Sequence, residues 1–203
     1  MSNKLGMRGT LKTRKFKTIR AAPLGWKLRN VLRWSYLHGQ LAYHLGIPLS
    51  GLLRHVSAIG SLYATVKYAD GTQVNYGLLG RRSVTTAFCA FVVDQLQAET
   101  AVFGDFKFHD SGVGTTAENI ANTTIETTDG ESRATGTQTE TSSVVYASVG
   151  TISYTTTKAI TEHGLFNDAT VGTLLDRTVF SAINVVNGDS IQFTYSLTVT
   201  AGG

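Results

Sequence analysis

The strictest alternation of hydrophobic and polar residues falls near the end of the chain, in the segment SIQFTYSLTV at 190–199. One face of this segment would carry only aliphatic and aromatic side chains, namely Ile191, Phe193, Tyr195, Leu197 and Val199. The other face would carry polar ones, namely Gln192, Thr194, Ser196 and Thr198. A period of two with one polar face predicts an antiparallel strand half-buried on a core. The turn formers from Asn187 to Asp189 favour a tight hairpin before it.

Strand patterns also fill most of the chain from Ser57 onward. The segments SLYATVKY and QVNYGLL flank Asp70-Gly71, a dipeptide that favours a hairpin turn. The segment FGDFKFH predicts a short strand that ends at His109. Threonine is abundant throughout, which is typical of exposed strand faces. Further strands are predicted near 132–140, 143–155, 158–166 and 173–183.

Two segments repeat instead at the spacing of three and four that indicates a helix. The first helix is predicted at 84–97, after Ser83 as its N-cap, with an apolar face of Val84, Ala87, Phe88, Phe91, Val92 and Leu96. The second is predicted at 24–45, before Gly46 and Pro48. Its apolar residues form two stripes, one of Leu24, Leu28, Val31 and Leu32 and one of Trp34, Leu37 and Leu41. A helix that is apolar on more than one side usually packs on each side, so another subunit can be its partner.

Together these elements predict a mainly β protein. Residues 56–203 are expected to form an antiparallel β-sandwich or open barrel with one packed helix at 84–97. Residues 1–55 are expected to form a basic N-terminal arm that contains the helix at 24–45. The chain has 203 residues, of which 42% are hydrophobic and 16% charged, so it can bury a core of its own.

Charge is distributed very unevenly along the chain. Up to Ala69 there are twelve Lys or Arg and no acid, whereas from Asp70 onward there are six Lys or Arg and fourteen Asp or Glu. The net charge of +4 is therefore +12 before Asp70 and −8 after it. A basic arm of this kind favours an acidic partner, which can be nucleic acid, an anionic membrane or the acidic face of a neighbouring subunit. Its predicted contact residues are Lys12, Arg14, Lys15, Lys17, Arg20, Trp26, Arg29, Arg33 and Trp34.

A membrane partner is not expected from the hydropathy pattern. The most apolar stretch of the first third, Leu41 to Val66, is interrupted by His44, Pro48, Arg54 and His55. No transmembrane helix is predicted there. The start of the chain also lacks the continuous apolar core of a secretory signal.

The segment KFHDSGVGTTAEN at 107–119 combines residue types used in catalysis with a G-x-G spacing. No helix is predicted after it to hold a pyrophosphate, and Thr115 stands where a P-loop needs lysine. His109, Asp110 and Ser111 are consecutive, so on an extended chain they point to alternate faces and cannot form a relay among themselves. The segment is therefore interpreted as a turn, and neither a catalytic residue nor a cofactor is predicted.

The residue types that ligate metals show no recognisable site either. Cys89 is the single cysteine and lies in the apolar run AFCAFVV, which is typical of core packing. His38, His44 and His55 are six and eleven residues apart, and these spacings match no helical or strand period. No metal is predicted, and His163 is interpreted as structural.

One charged pair is predicted inside the sheet. Glu162 is expected to share an apolar strand face with Ile160 and Phe166, where a carboxylate needs partners. Arg177 lies on the next strand, across the NDATVG connection, and is the nearest candidate by hairpin register. A structural Glu162–Arg177 pair, or hydrogen bonds from turn amides to Glu162, is therefore predicted.

The segment AITEHGLFNDATVGTLLDRTVF at 159–180 resembles the E-x-G-L-F…D-x-G-x-L…F pattern of tail-fibre and tail-collar proteins of tailed bacteriophages. RRSVTTAFCAFVVDQL is similar to the helix that opens such domains, HDSGVGTTAE to their glycine turn, and ESRATGTQ…YASVGTISY to the following hairpin. The resemblance covers roughly residues 80–203, although NDATVG is longer than the usual turn. It implies a virion structural protein of the tail, neck or capsid surface, and not an enzyme.

Two other functions stay open beside a non-enzymatic assembly subunit, whose partners would be copies of itself and other virion proteins. The main alternative is a nucleic-acid-binding virion protein, because residues 1–33 hold ten Lys or Arg and the arm adds Trp26 and Trp34. A tail-borne polysaccharide hydrolase would need two carboxylates across a cleft. The acids available for that role fall mostly in helix-surface or loop positions, namely Asp94, Glu99, Asp105, Glu118 and Glu126.

Overall fold

The computed structural model describes residues 19–31, 56–97 and 105–200, which form two β-sheets with two helices beside them. The predicted mainly β sandwich is thus confirmed. The helix predicted at 24–45 is present over its first eight residues, and 32–45 lie outside the described residues. The elements are β1 Ile19–Ala21, α1 Leu24–Val31, β2 Ser57–Lys67, β3 Gln73–Ser83, α2 Thr86–Gln97, β4 Phe108–Gly112, β5 Ala134–Thr135, β6 Thr137–Ser142, β7 Val145–Ser153, β8 Lys158–Phe166, β9 Leu174–Val185 and β10 Ser190–Thr200.

The larger sheet has six strands in the order β1-β3-β2-β10-β7-β6. Adjacent strands in this sheet run antiparallel except at one edge, where β1 runs parallel to β3. The predicted hairpin is confirmed, since β2 and β3 pair as far as Lys67 and Gln73, and Gly71 has a φ of +77° that glycine adopts at little cost. The strand predicted at 190–199 is the central strand β10. Of its apolar face, only Val199 is exposed, because it lies near the end of the sheet.

The smaller sheet has four antiparallel strands in the order β5-β4-β8-β9. The segment predicted as one strand near 132–140 divides between the two sheets, because β5 pairs with β4 whereas β6 pairs with β7. The chain crosses from one sheet to the other at Gly136. A side chain there would meet Ser148 Oγ at 2.6 Å and Nε2 of His109 at 2.8 Å, so only glycine fits at the crossing.

The main core draws side chains from both sheets and from both helices. Phe88 of α2 packs edge-on against Phe106, with ring centroids 5.1 Å apart. Ala22 and Trp26 also belong to this core, although they precede the domain boundary predicted at residue 55. The segment around α1 is therefore packed on the sandwich formed by residues 56–97 and 105–200, which we call the β-domain.

The start of helix α2 differs from the prediction. The helix begins at Thr86, and Ser83 is the last residue of β3. Thr85 is the N-cap, since its hydroxyl accepts a hydrogen bond from the amide of Phe88 at 3.1 Å. In the described ranges, neither helix is long and apolar enough to cross a membrane.

The strand predicted to end at His109 was also misplaced. Strand β4 begins at Phe108 and continues to Gly112, so residues interpreted as a turn lie inside the sheet. The reason is tertiary: β8 offers backbone partners along this whole stretch, from Phe166 opposite Phe108 to Glu162 opposite Gly112. These ladder bonds outweigh the local turn preference of the sequence.

Candidate functional site

Glu162 and Arg177 form a buried ion pair on the smaller sheet. The Nε of Arg177 donates to Oε2 of Glu162 at 2.7 Å, and the two side chains are 2% and 0% exposed, respectively. Strand register brings them together, because Arg177 lies opposite Gly164, two residues from Glu162 on β8. The two side chains are therefore diagonal neighbours on one face of the sheet.

The carboxylate of Glu162 also binds residues 113–133, the connection between β4 and β5, which we call the covering loop. The amides of Gly114, Glu126 and Thr127 donate to it at 2.9, 2.9 and 2.8 Å. Together with Arg177, these amides make four donors, which is about the full accepting capacity of a carboxylate. Glu162 thus fastens two separate parts of the covering loop to the sheet, and it uses both kinds of partner that the sequence suggests.

The guanidinium of Arg177 contacts the same loop. It donates to Oε2 of Glu126 at 3.2 Å and to Oδ1 of Asn122 at 3.4 Å. Glu126 in turn accepts hydrogen bonds from the hydroxyl and the amide of Thr116, at 2.6 and 2.8 Å. The hydroxyl and amide of Thr116, together with the charge of Arg177, lower the pKa of Glu126. One guanidinium bridges two carboxylates, and backbone amides and a hydroxyl supply their remaining donors, so the cluster clamps the covering loop to the sheet.

Ile160 does not share the face of Glu162, contrary to the prediction. A register shift between Ile160 and Glu162 breaks the alternation along β8. Ile160 packs in the main core, whereas Phe166 packs with Ile125 and Leu174 beneath the covering loop. Nothing in the local sequence marks this shift.

His109 lies in the interior with two polar partners. Its Nδ1 is 3.0 Å from Nε2 of His163, and its Nε2 is 2.9 Å from Oγ of Ser148. Both histidines are almost completely buried, at 0% and 1% exposure. Burial lowers the pKa of His109 to about 4. Burial also lowers the pKa of His163 well below its usual value, and the neighbouring His109 adds to that shift. The two rings are therefore neutral at pH 7 and join β4 to β8 and β7.

We predict that His109 stays neutral in mildly acidic solution. In NMR titrations its ring resonances should hold constant from about pH 8 to about pH 5, whereas an ordinary histidine titrates near about pH 6.5. In the unfolded chain His109 has its ordinary pKa and takes up a proton below about pH 6.5, whereas in the folded protein the ring stays neutral down to about pH 4. The stability associated with this difference is therefore fully present above pH 6.5 and is lost as the pH falls towards 4. The full loss corresponds to about 3 kcal/mol. A titration midpoint near about 6.5 would contradict the burial of this ring.

Asp110 and Ser111 have partners of their own. The hydroxyl of Ser111 donates to Asp129 and lies 3.1 Å from the hydroxyl of Tyr154. Asp110 accepts a hydrogen bond from Nε of Arg133 at 3.0 Å, while burial raises its pKa. Consecutive residues of β4 thus serve separate contacts, as expected of an extended chain. Within the described ranges, no three or more His, Cys, Asp or Glu side chains are grouped to hold a metal ion.

Arg133 is a contact centre that sequence reasoning missed. Besides Asp110, it binds the connection between β8 and β9 by donating to the carbonyls of Asp168 and Val171, at 2.9 and 2.5 Å. Its guanidinium carbon also lies 3.5 Å from the centroid of the Phe166 ring, which adds a cation–π contact. Its only sequence signal is its own positive charge in the polar run ESRATG, near the negative charge of Glu131, and this does not distinguish it from a solvated residue.

Asp176 was missed as well, although its signal is present. It is an acid in the apolar run LLDRTVF, and it is 3% exposed on β9. Burial raises the pKa of Asp176 to about 7, and the Arg82 charge opposes this shift. Its carboxyl and the Tyr195 hydroxyl both lie against Gly60, where a side chain would clash with them. The Asp176 carboxyl and the Tyr195 hydroxyl are thus polar groups buried where the two sheets meet.

The structure describes three of the predicted arm residues. Arg20 and Arg29 are exposed, whereas Trp26 is buried and donates from its indole nitrogen to the carbonyl of Ser181 at 2.9 Å. The other predicted contact residues lie outside the described residues, namely Lys12, Arg14, Lys15, Lys17, Arg33 and Trp34.

Comparisons with known proteins found no relative of this chain. No protein-family model, no curated protein and no solved structure matches it. The fold and the site define its class, a two-sheet β-sandwich in which a buried ion pair fastens a long loop across the smaller sheet.

Proposed function

We propose that the chain is a structural, non-enzymatic assembly subunit of a tailed-phage virion, situated in the tail, at the neck or on the capsid surface. The observation that carries this proposal is the internal use of Glu162, His109 and Ser111, three residues of types that often serve catalysis. Glu162 binds four donors, and His109 and Ser111 are closed in by neighbouring side chains. A rigid packing unit requires this kind of internal satisfaction. The resemblance of residues 80–203 to tail-fibre and tail-collar proteins supplies the virion context.

The proposed partners are copies of the same chain and other virion proteins. The chain has a charge of +12 before Asp70 and −8 after it, so the first part of one copy is complementary to the rest of another. Complementary potentials steer association and select its register. Eleven of the positive charges lie in residues 1–55 and would repel one another in a free arm, and an acidic surface relieves that repulsion.

Nucleic-acid binding is the second candidate because three cations lie exposed on one short segment. Arg20, Lys27 and Arg29 are exposed around α1. Exposed Lys and Arg contact phosphates without reading sequence, and such binding weakens steeply with salt. In this function the arm would carry DNA affinity and the β-domain would act as its scaffold.

Reversing four arm charges tests the two functions against each other. In the variant Lys12→Glu, Arg14→Glu, Lys15→Glu and Lys17→Glu, we expect incorporation into particles to fall about tenfold or more, because the arm loses its attraction to acidic partners. The far-UV circular dichroism and the melting temperature should be unchanged. Quantitative mass spectrometry of purified particles gives the incorporation, and Lys67→Glu, an exposed charge reversal on β2, is the control.

Each outcome of this experiment decides between the candidates. Loss of incorporation with an intact fold supports the assembly subunit. Normal incorporation with lost, salt-dependent DNA binding supports the nucleic-acid function instead. Normal incorporation with unchanged DNA binding overturns both roles of the arm.

A further inference from the structure

The first described segment of the chain binds the β-domain as an added edge strand. In β1, Ile19, Arg20 and Ala21 lie opposite Gln73, Val74 and Asn75 of β3, in parallel register. The amide of Ala22 continues this ladder by donating to the carbonyl of Asn75 at 2.8 Å. A short segment that extends an open sheet edge is a recurrent mode of recognition between chains, because the backbone supplies affinity and one or two side chains supply specificity.

Trp26 is the side-chain anchor of this segment. It is 8% exposed, it donates to the carbonyl of Ser181, and its ring meets Tyr76 edge-on with centroids 4.7 Å apart. Ala22 of the same segment is also buried in the main core, whereas Leu24 is 72% exposed and Lys27 is exposed as well. The docking strip on the β-domain is thus small and well defined, and it consists of the β3 edge at 73–75 with Tyr76 and Ser181.

The connection to the β-domain is long enough for residues 19–26 to reach a neighbouring copy of the chain. Residues 32–56, 25 in all, separate the end of α1 at Val31 from the start of β2 at Ser57. A chain of this length spans at most about 80 Å. The docking strip of an adjacent copy is therefore within reach. The contacts made in an exchanged arrangement are the same as those made within one chain, so exchange costs no contact.

We propose that the docking strip receives residues 19–26 of a second copy of this chain, so that neighbouring subunits exchange these segments. The proposal rests on the assembly role proposed above, because a second copy competes with the segment of the same chain only where copies are held close together. Exchange therefore becomes frequent where subunits are concentrated, as they are in an assembled particle. In dilute solution each chain occupies its own strip.

Paired cysteines placed across the strip distinguish the two arrangements. Ala21 and Asn75 are opposite each other and both exposed, which suits a disulfide between neighbouring strands. Three proteins are made in a Cys89→Ser background, which removes the single native cysteine: Ala21→Cys, Asn75→Cys, and the double variant. The two single variants are made with different masses, refolded together over a series of concentrations up to the millimolar range, oxidised, and analysed by non-reducing gel and mass spectrometry.

We expect the mixed single variants to form a disulfide-linked heterodimer whose yield rises with protein concentration. The double variant should close within one chain when dilute and link between chains when concentrated. Adding Trp26→Ala to the Ala21→Cys protein should lower the heterodimer yield about tenfold, because the anchor is lost. Adding Leu24→Ala should leave the yield unchanged, since that side chain is exposed.

Exchange is overturned if the mixed variants give no heterodimer at any concentration while the double variant closes within one chain. That result leaves the assembly role untouched, because the charge-reversal experiment measures incorporation independently. A heterodimer with a yield insensitive to Trp26→Ala also overturns the proposal, since it indicates random collision of the two thiols.

Discussion

Replacing Glu162 by alanine is expected to lower the free energy of unfolding by about 3–5 kcal/mol. The substitution removes the carboxylate that accepts from Nε of the buried Arg177 guanidinium, and three loop amides lose their acceptor. Among the described residues, the buried guanidinium then keeps only the half-exposed Glu126 as a carboxylate partner. Breaking a buried ion pair and leaving backbone amides unsatisfied are among the costliest defects in a folded protein. Chemical denaturation followed by circular dichroism measures the loss.

A second readout separates this clamp from a general loss of packing. Since Glu162 holds the covering loop, limited proteolysis between residues 113 and 133 should become much faster in Glu162→Ala than in the parent under native conditions. Glu140→Ala is the matched control, because Glu140 is exposed on β6 and its removal should change neither stability nor proteolysis. A denaturation midpoint equal to that of the parent would show that Glu162 contributes no net stability.

Replacing Gly150 by alanine is expected to destabilise the protein by about 3 kcal/mol, at the upper end of the usual cost of overpacking. A methyl group at this position of β7 would contact Cδ2 of His109 and lie 2.8 Å from Cγ of the same ring. The ring cannot turn aside cheaply, because His163 and Ser148 hold both of its nitrogens. The substitution must therefore break these hydrogen bonds or separate the strands.

Gly25→Ala is the control for this experiment. Among the described residues outside α1 and its chain neighbours, no atom lies within 4 Å of a methyl group at Gly25. Alanine also favours a helix, so α1 should be unchanged or slightly stabilised. Comparing the two melting temperatures isolates the clash with His109 from the general effect of exchanging glycine for alanine. Equal melting temperatures in the two variants would show that the interior around His109 has room for a further methyl group.

The Glu162–Arg177 cluster shows how far sequence reasoning reaches at a site. An acid among apolar strand residues needs partners, and hairpin register names Arg177 as the nearest one, which is the pair seen at 2.7 Å. For the loop amides that complete the cluster, the sequence predicted only that turn amides could bind Glu162, and not which ones. Gly114 and Glu126 lie 48 and 36 residues from Glu162, and no local pattern connects them.

The sequence by itself determined the elements whose signals are local. Three such signals arise from neighbouring residues alone. The period of two at 190–199 corresponds to β10, the Asp70-Gly71 turn to the β2–β3 hairpin, and the helical repeat up to Leu96 to α2. Turn chemistry and side-chain period act within a few residues, so they do not depend on the rest of the chain.

Only the tertiary structure decided which sheet each strand joined and where the polar residues went. It divided 132–140 between two sheets, extended β4 through His109 to Gly112, and shifted the register of β8 beside Ile160. It also placed His109 against His163, 54 residues away. The physical reason is that strand pairing and burial are interactions between distant residues, and a local sequence has the same period whichever strand lies beside it.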